Sequence, residues 1–185
     1  MSLIEEKPQI VKEHSGMELV ESFDRKLVHK YNEENVLLSG LDKLKSDGEH
    51  EKYLITVRVK MDHSFFFEHP RNHVPGMYII EAGRQAGLAI AHKFYSVSFE
   101  SEFILNQLTA EFFSFANIWQ PLQILIEAKD VTWRKGQLVS YNLKGTFLQN
   151  SKEIAAICGI LTVMGKNIME KLERSFSKLE PESKA

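Results

Sequence analysis

The stretch PGMYIIEAGRQAGLAIAHKF, residues 75–94, decides the fold of this protein. It contains no proline after Pro75, and a proline followed by a run of good helix formers is typical of a helix that begins there. From Met77 to Phe94, apolar residues fall on nearly every side, whereas a surface helix carries them on one stripe. The sequence therefore predicts one long helix that is enclosed by the rest of the protein.

Segments of strand-like composition lie on both sides of this helix. Tyr53 to Lys60 alternates apolar and polar residues, which is the period of a half-buried strand. The segment Met61 to Val74, rich in histidine and phenylalanine, then predicts a structured loop. After the helix, turn-like separators divide four further runs, so we expect consecutive hairpins that form a meander. The four runs are Leu108 to Phe115, Leu122 to Trp133, Leu138 to Leu148 and Glu153 to Met164.

Both ends of the chain are predicted to flank a single domain. Residues 1–26 are charged and weakly patterned and predict an N-terminal arm, which is followed by short extended pieces at Leu27 to Lys30 and Val36 to Leu38. In residues 166–185 apolar side chains recur at helical spacing, so we expect a C-terminal amphipathic helix with a frayed tail. The domain between them, residues 27–165, is predicted to be α+β with the hotdog fold, in which a curved antiparallel sheet wraps one long central helix.

Composition excludes several classes of protein. A chain of 185 residues, 43% of them hydrophobic, predicts one domain with one core. The net charge of −2 and the pI near 6.4 provide no positive field, so no nucleic-acid partner is expected. No apolar run approaches the ~20 residues of a membrane span and no signal segment is visible, so we expect a cytoplasmic protein without a membrane partner. The single cysteine, Cys158, lies in a strand-like run and is interpreted as a small core residue.

Polar residues near the start of the predicted helix form one patch. On a wheel of about 3.6 residues per turn, Glu81, Arg84 and Gln85 share a face. A buried carboxylate must pair, be protonated or touch solvent, because burying an unpaired charge is costly. One interpretation is an ion pair of Glu81 with Arg84 that stabilises the fold. The other is a reactive site, in which burial raises the pKa of Glu81 into the range useful for acid or base catalysis.

Backbone amides at the helix start add to the functional interpretation. The N–H groups of Gly76 and Met77 lie at the positive end of the helix dipole, where they can bind a carbonyl oxygen or a developing oxyanion. Upstream, His63, His69 and His73 lie in the loop that leads into the helix, and each is a candidate to face that carbonyl. No further Cys or His cluster with the spacing of metal ligands accompanies them. We therefore expect no metal and no bound cofactor.

The segment HPRNHVPGMYIIEAGRQA, residues 69–86, resembles the A-factor biosynthesis (AfsA-like) hotdog domain family. Residues 27–30, Leu-Val-His-Lys, are similar to the opening motif of that family, and residues 91–97 are similar to the end of its helix. The block Glu-Ala-Gly-Arg-Gln-Ala, residues 81–86, is the most specific part of the resemblance. The Pro-Gly element followed by Glu is shared with the wider hotdog superfamily, which includes hydroxyacyl-carrier-protein dehydratases of the FabZ and FabA kind.

This resemblance implies acyl-thioester chemistry. The AfsA-like family implies transfer of an acyl group from a 3-oxoacyl thioester to a hydroxyl of dihydroxyacetone phosphate. The dehydratases imply loss of water from a 3-hydroxyacyl chain, but an ungapped alignment places Phe67 where their histidine stands. We therefore predict an acyl-thioester-processing protein with acyltransferase activity on a 3-oxoacyl thioester. A 3-hydroxyacyl-thioester dehydratase, a thioesterase, and a non-catalytic module that binds an acyl chain or lactone are the alternatives.

Roles and partners follow from the same prediction. The thioester carrier is expected to be acyl carrier protein or coenzyme A, and the acceptor a small molecule. A second copy of the chain is expected to complete a homodimer, because one curled sheet leaves edges to cover. The acyl tail is expected in an apolar channel between the helix and the sheet, or between two subunits, lined by aromatic residues such as Phe65, Phe66 and Trp133. The predicted catalytic residues are Glu81, His69 and His73, and the predicted oxyanion and substrate-binding residues are Gly76, Met77, Arg84, Gln85 and His63.

Overall fold

A computed structural model describes residues 23–46 and 50–177. The predicted arm up to residue 22, three residues of the polar turn before the second strand, and the predicted frayed tail lie outside these described residues. In chain order the elements are two short 3₁₀ turns (Arg25–Val28 and Glu33–Asn35), strands β1 (Leu38–Lys43) and β2 (Glu51–Val57), helix α1 (Gly76–Phe94), strands β3 (Ser101–Phe112), β4 (Leu122–Arg134), β5 (Gln137–Gln149) and β6 (Lys152–Gly165), and helix α2 (Lys166–Ser177).

The six strands form one antiparallel sheet in the order β1-β2-β4-β5-β6-β3. This arrangement of a long helix and a six-stranded sheet confirms the predicted α+β class. The predicted meander is correct for β4, β5 and β6. It is wrong for β3, which pairs with β6 at the far edge of the sheet, from Ser101 opposite Gly165 to Phe112 opposite Ala155. The segment between β3 and β4 is far longer than a tight two-residue hairpin, so these strands need not be neighbours.

Two segments that precede strands differ from the prediction. Leu27 to Lys30 is not extended, because Arg25–Val28 forms a 3₁₀ turn whose start is capped by the Asp24 side chain. His29 then ends the turn in the left-handed region at φ 53°, which is uncommon for a residue other than glycine. Strand β3 begins at Ser101 rather than at Leu108. The first half of β3 contains polar residues and a register shift between Leu105 and Gln107. Both interrupt the alternation of apolar and polar residues by which a strand is recognised in a sequence.

Small side chains let α1 lie close to the sheet. Ala82, Ala86 and Ala89 are fully buried, so the helix backbone approaches the inner face of the strands. Large apolar residues such as Ile124 and Phe147 fill the remaining space, and each full burial of such a side chain contributes about 1.5–3 kcal/mol. The predicted enclosed helix is therefore correct for its middle and last turns, whereas Gly76 and Met77 at its start are exposed.

Cys158 is exposed, so its interpretation as a core residue is wrong. Side chains alternate between the two faces of a strand. In β6 the buried residues Ile157 and Leu161 point toward the core, and this alternation places Cys158 on the outer face. The run of small and apolar residues around it concealed that alternation.

Helix α2 follows β6 directly and is amphipathic, as predicted. Its apolar residues Ile168, Leu172 and Phe176 are exposed in the single chain. Within residues 23–46 and 50–177, neither helix is long and apolar enough to cross a membrane.

Candidate active site on the central helix

Helix α1 has two faces with opposite chemistry. One face binds other parts of the chain through polar side chains, and we call it the polar face. The other turns glycines toward the sheet, and we call it the glycine face. Residues that recur every three or four positions lie on the same side of a helix. The polar face comprises Glu81, Gln85 and His92, and the glycine face comprises Gly76, Ile80, Gly83 and Gly87.

The carboxylate of Glu81 is held by three neighbours. The guanidinium of Arg84 donates from Nε to Oε2 at 2.7 Å and from Nη2 to Oε1 at 2.8 Å. The Nζ of Lys30 lies 2.7 Å from Oε1, and the Nε2 of Gln85 donates to the same oxygen at 3.0 Å. Only about 20% of the side chain is exposed. The structure therefore brings together Glu81, Arg84 and Gln85 as predicted, and adds Lys30.

These partners keep Glu81 ionised. Burial alone raises the pKa of its carboxyl, but the hydrogen bonds and charge of Arg84, with those of Lys30 and Gln85, lower the pKa to about 2. The predicted upward shift is therefore wrong, because it counted burial without the two cations. A carboxylate with so low a pKa is a poor general acid near neutral pH.

Gln85 and His92 bind the segment that precedes β1. The Oε1 of Gln85 accepts from the N–H of Leu37 at 2.9 Å, and its Nε2 donates to the carbonyl of Asn35 at 2.8 Å. His92 lies 2.9 Å from His29 between their Nε2 atoms. Each polar-face residue thus has a partner in residues 29–37, which we call the N-terminal segment.

The two histidines form a directed pair. Nδ1 of His92 lies 2.8 Å from the carbonyl oxygen of Val97. Because a carbonyl only accepts, this nitrogen carries the proton, and the Nε2 of His92 accepts from the Nε2–H of His29. Burial lowers the pKa of His92, and burial followed by the charge of His92 lowers the pKa of His29. The ring of Phe103 packs edge-on against both imidazoles, at 5.5 Å from His29 and 5.2 Å from His92.

The three loop histidines occupy different environments. His63 is buried, where its Nδ1 accepts from the amides of Phe65 and Phe66 and its Nε2 donates to the side chain of Asn35 at 3.1 Å. These bonds give His63 a role in holding the loop. His69 is exposed. None of the three hydrogen-bonds to α1 among the described residues.

His73 is the loop histidine nearest in sequence to the helix start. It is half-buried and forms an isolated antiparallel bridge with Asn117. Its ring centroid lies 4.8 Å from that of Phe115. The bridge fixes the backbone of His73 three residues before Gly76, whereas His63 and His69 lie further upstream. His73 is therefore the predicted histidine that lies nearest in sequence to the helix start.

The helix start offers two backbone donors. The amides of Tyr78 and Ile79 bond to the carbonyl of Pro75, and no side chain caps the helix. In the part of the chain that the structure describes, the amides of Gly76 and Met77 have no partner. Both residues are exposed.

An apolar slot lies between the glycine face and the sheet. Its volume is about 60 Å³. Its lining includes four glycines, Gly83 and Gly87 on the helix and Gly145 and Gly159 on the sheet. Gly76 lies on the same helix face, one turn before Ile80, the first helix residue that lines the slot. Leu105 and Leu108 of β3 close the outer side, and Arg84 also contributes to the lining.

The predicted aromatic channel residues do not line this slot. Phe65 is 73% exposed and packs edge-on against Phe66, which in turn contacts Tyr78. Trp133 packs against Tyr95, at the opposite end of α1. The slot between helix and sheet is therefore lined without Phe65, Phe66 and Trp133, and an aromatic channel between two subunits stays a prediction.

The sequence matches the A-factor biosynthesis hotdog domain family over residues 12–164. The chain belongs to this family. The match extends the resemblance seen in the sequence toward the N-terminus and includes the N-terminal segment, the helix and all six strands. None of the curated proteins matches the chain.

Solved structures share the fold of this hotdog domain at low sequence identity. A Thermus thermophilus hypothetical protein described as a thioesterase superfamily member is 12% identical with a TM-score of 0.55, over 73% of this chain and 96% of its own. A putative thioesterase from Lactococcus lactis is 11% identical with a TM-score of 0.53, over 70% and 93%. A hot-dog-like protein from Thermanaerovibrio acidaminovorans is 10% identical with a TM-score of 0.53, over 70% and 91%. These similarities establish the fold.

Two features of this AfsA-type hotdog domain escaped the prediction from sequence. Gly76, Ile80, Gly83 and Gly87 are spaced by four, three and four residues and therefore lie on one face of the helix without bulky polar groups. A helical wheel that marked the glycines would have shown this face. The partners of the polar face, His29 and Lys30, lie more than 50 residues upstream, and no local pattern predicts that contact. Across residues 23–46 and 50–177, no group of three His, Cys, Asp or Glu side chains is placed to hold a metal ion.

Proposed function

We propose that this protein processes acyl thioesters and transfers a 3-oxoacyl group to the hydroxyl of a small acceptor such as dihydroxyacetone phosphate. The observation that supports the proposal most directly is the apolar slot on the glycine face, which begins at Ile80, one turn after the Gly76 and Met77 amides at the helix start. Apolar pockets with a few convergent polar groups are typical ligand sites. Membership of the A-factor biosynthesis hotdog family supports the same class of substrate.

In this proposal the acyl tail lies in the slot and the thioester carbonyl lies at the helix start. The amides of Gly76 and Met77 donate to the carbonyl oxygen and stabilise the negative charge that develops on it. The helix dipole adds a favourable potential at the same point. Gly76 has no side chain, and a Cβ atom there would lie 3.3 Å from the ring of Phe112.

The state of Glu81 favours transfer over dehydration. Dehydration requires an acid to protonate the departing hydroxyl, and Glu81 is ionised and hydrogen-bonded to two cations. Phe67, which aligns with the dehydratase histidine, packs against Tyr78 at 5.8 Å and supplies no proton. Transfer needs only a base for the acceptor hydroxyl and donors for the carbonyl oxygen.

The proposed reaction balances without an external reagent. The acceptor oxygen bonds to the thioester carbonyl carbon, the carbon–sulfur bond breaks, and the hydroxyl proton passes through His73 to the departing thiolate. The thiol returns to acyl carrier protein or coenzyme A. Glu81 acts as a positioning residue in this scheme, because its bonds to Arg84 hold a guanidinium on the slot wall, where it can donate to a polar head group.

A homodimer is part of the proposal. Strand β3 is at the edge of the sheet, is 12 residues long and carries exposed apolar side chains. Edge strands of this kind pair with other chains, and a twofold dimer presents the same edge from each copy. We expect light scattering after gel filtration to give the mass of two chains, and the mass of one chain would contradict this part.

The test of the activity is mass spectrometry of the protein incubated with 3-oxoacyl and 3-hydroxyacyl thioesters, with and without dihydroxyacetone phosphate. A new ester that requires the acceptor is the expected result. Loss of water would indicate a dehydratase, and free acid would indicate a thioesterase. Thioesters that bind without conversion would indicate a binding module. Each of these three results would overturn the acyltransferase proposal.

A variant of the helix start tests the oxyanion role directly. Met77→Pro removes one amide donor, and proline is tolerated in the first helical turn because that N–H has no intrahelical partner. Removal of one oxyanion donor lowers kcat by about 10²- to 10³-fold. Met77→Ala is the matched control, since it removes the exposed side chain and keeps the N–H. Equal kcat in the two variants would remove the Met77 amide from the site.

A further inference from the structure

Bulky side chains pack at the end of the slot beside Gly87. A Cβ atom at Gly87 would lie 3.0 Å from Cδ1 of Leu143, so this leucine is already pressed against the helix backbone. Behind it, the hydroxyl of Tyr141 donates to the carbonyl of Gly87 at 3.2 Å, and a Cδ2 atom of Leu161 is 3.9 Å from the same Cβ position. Gly87 is the last residue of α1 that lines the slot, and these bulky side chains pack against it there.

The enclosed part of the slot is short. It runs along α1 from Ile80 to Gly87, which is about 10 Å at a rise of 1.5 Å per residue. A volume of about 60 Å³ is less than half that of a cavity of about 150 Å³ that holds benzene, so the slot takes only a short tail.

We propose that Leu143 sets the acyl-chain length that this protein accepts, and that Gly159 keeps the slot wide enough for the chain. The proposal rests on the proposed function, because it assumes that the slot holds the acyl tail. It names the substrates as short-chain thioesters, whose tail beyond the reacting head group ends at Leu143.

The position of Leu143 on its strand supports this assignment. It is 7% exposed and faces the core from β5, where Gly145 and Phe147 are the next residues on the same face. Phe147 lies beside Gly83, nearer the helix start, and Leu143 lies beside Gly87. The inner face of β5 therefore runs along the slot, and Leu143 is the first bulky side chain that a growing tail meets at its inner end.

Gly159 controls the width at the middle of the slot. A Cβ atom there would lie 3.7 Å from Cδ1 of Leu105 and of Leu161, which is ordinary van der Waals contact. Gly159→Ala therefore folds without a clash and places a methyl group in the slot. Gly165→Ala is the matched control, because a Cβ atom at Gly165 has nothing within 4 Å.

The experiment measures kcat/KM for 3-oxoacyl thioesters of N-acetylcysteamine with tails of two to twelve carbons. Leu143→Ala is expected to move the optimum to longer tails by about two carbons. Gly159→Ala is expected to lower kcat/KM for the best wild-type substrate by about tenfold or more and to favour shorter tails, because a misfitted methylene changes discrimination by about 10- to 200-fold. Gly165→Ala is expected to keep the wild-type profile.

The outcomes separate this inference from the proposed function. If the wild type is active and neither variant changes the chain-length profile, the inference is overturned and the function stands. If the wild type converts none of the thioesters, the activity proposal fails, and calorimetric binding of the same series decides the inference. Thermal melting checks that each variant is folded. If Leu143→Ala unfolds, the Gly159→Ala profile decides.

Discussion

The polar face and the glycine face of α1 differ in what occupies the space beside them. Glu81, Gln85 and His92 each contact the N-terminal segment through hydrogen bonds of 2.7–2.9 Å. Beside Gly83 and Gly87 an apolar slot remains open. The polar face therefore works as a structural seam between the helix and the N-terminal segment, and the glycine face provides the room for a ligand.

This difference shows why polar residues in a buried helix are ambiguous signals. A buried polar group must be hydrogen-bonded, and most such groups find their partners within the protein. The polar face follows that rule, since the described residues contain no buried side-chain nitrogen or oxygen without a partner. The unpaired donors are the backbone amides at the helix start, which reach solvent.

The largest effect is expected from breaking the seam at Gln85. Gln85→Leu leaves the N–H of Leu37 and the carbonyl of Asn35 without partners in a buried position, and each loss costs about 1–3 kcal/mol. We expect the free energy of unfolding in urea to fall by about 3–4 kcal/mol, with faster hydrogen exchange in residues 29–37.

Gln149→Leu is the matched control for Gln85→Leu. Gln149 is also buried and makes three hydrogen bonds, but its partners are Asn117 and Gln120 in the segment before β4. The control should lose similar stability without exposing residues 29–37 to exchange. Equal exchange in residues 29–37 for the two variants would show that Gln85 does not hold the N-terminal segment.

A smaller effect is expected at Glu81. Its pKa is lowered from 4.5 to about 2, so its stabilisation is present above pH 4.5 and is lost as the pH falls from 4.5 toward 2. Glu81→Gln should lower the free energy of unfolding by about 2–3 kcal/mol at pH 7 and should flatten the loss of stability on acidification. Glu170→Gln, in an exposed pair with Arg174 at 3.9 Å, should change stability by less than about 0.5 kcal/mol.

Turnover of the folded Glu81→Gln variant tests whether the polar face takes part in the chemistry or only stabilises the fold. If Glu81 only positions Arg84, turnover should fall by less than about tenfold at a temperature where the variant is folded. If it acts as the base, turnover should fall by about 10²- to 10⁴-fold. The larger fall would return Glu81 to the chemistry and would make the polar face part of the active site.

The pair of His29 and His92 should make the free energy of unfolding depend on pH less steeply than Glu81 does. The pKa values of His29 and His92 are both lowered in the folded protein from 6.5. The unfolded chain then binds more protons, so stability is present above pH 6.5 and is lost as the pH falls below it. The nearby Arg84 adds to the lowering at His29, and Glu102 of β3 opposes it.

His29→Asn tests this pair, because asparagine tolerates the left-handed backbone of this position. The variant should lose about 1 kcal/mol at pH 7.5, the value of one hydrogen bond, and its stability should depend less on pH between 7 and 5. The acid limb below pH 4.5, which belongs to Glu81, should remain. An unchanged slope between pH 7 and 5 would exclude the pair as its source.

The smallest effect on stability, with opposite sign, is expected on the glycine face. A Cβ atom at Gly83 would lie 3.5 Å from Cδ1 of Ile157, which is ordinary contact. Gly83→Ala should therefore raise the free energy of unfolding by about 0.5–1 kcal/mol, since alanine is the better helix former. The added methyl group should also weaken binding of acyl thioesters in calorimetry. Stabilisation without weaker binding would mean that the acyl tail lies elsewhere.

Much of the fold was predictable because its signals are local. The run from Pro75 to Phe94 predicts its own helix, and the alternation in Tyr53 to Lys60 predicts β2. The position of β3 in the sheet was not predictable from the sequence, since its pairing with β6 depends on where the chain lies in space after the end of α1. Its polar residues at Asn106 and Gln107 belong to an edge that is exposed on one side, so the expected alternation is weak.

The candidate site was predictable in part for the same reason. The free amides of Gly76 and Met77 follow from the helix start alone, because every helix leaves its first N–H groups unpaired. The direction of the Glu81 pKa shift was not predictable, since it depends on Lys30 as well as on Arg84. The lining of the slot was not predictable, because its residues come from α1, β3, β4, β5 and β6, which meet only in the folded chain.

The sequence by itself determined the central helix, the strand composition around it, the family and the donors at the helix start, because each depends on neighbours within a few residues. Only the tertiary structure decided that Glu81, Gln85 and His92 bind the N-terminal segment and that glycines from α1, β5 and β6 meet around a slot. Hydrogen bonds and cavities depend on distances between groups far apart in the chain, and those distances exist only after the chain has folded.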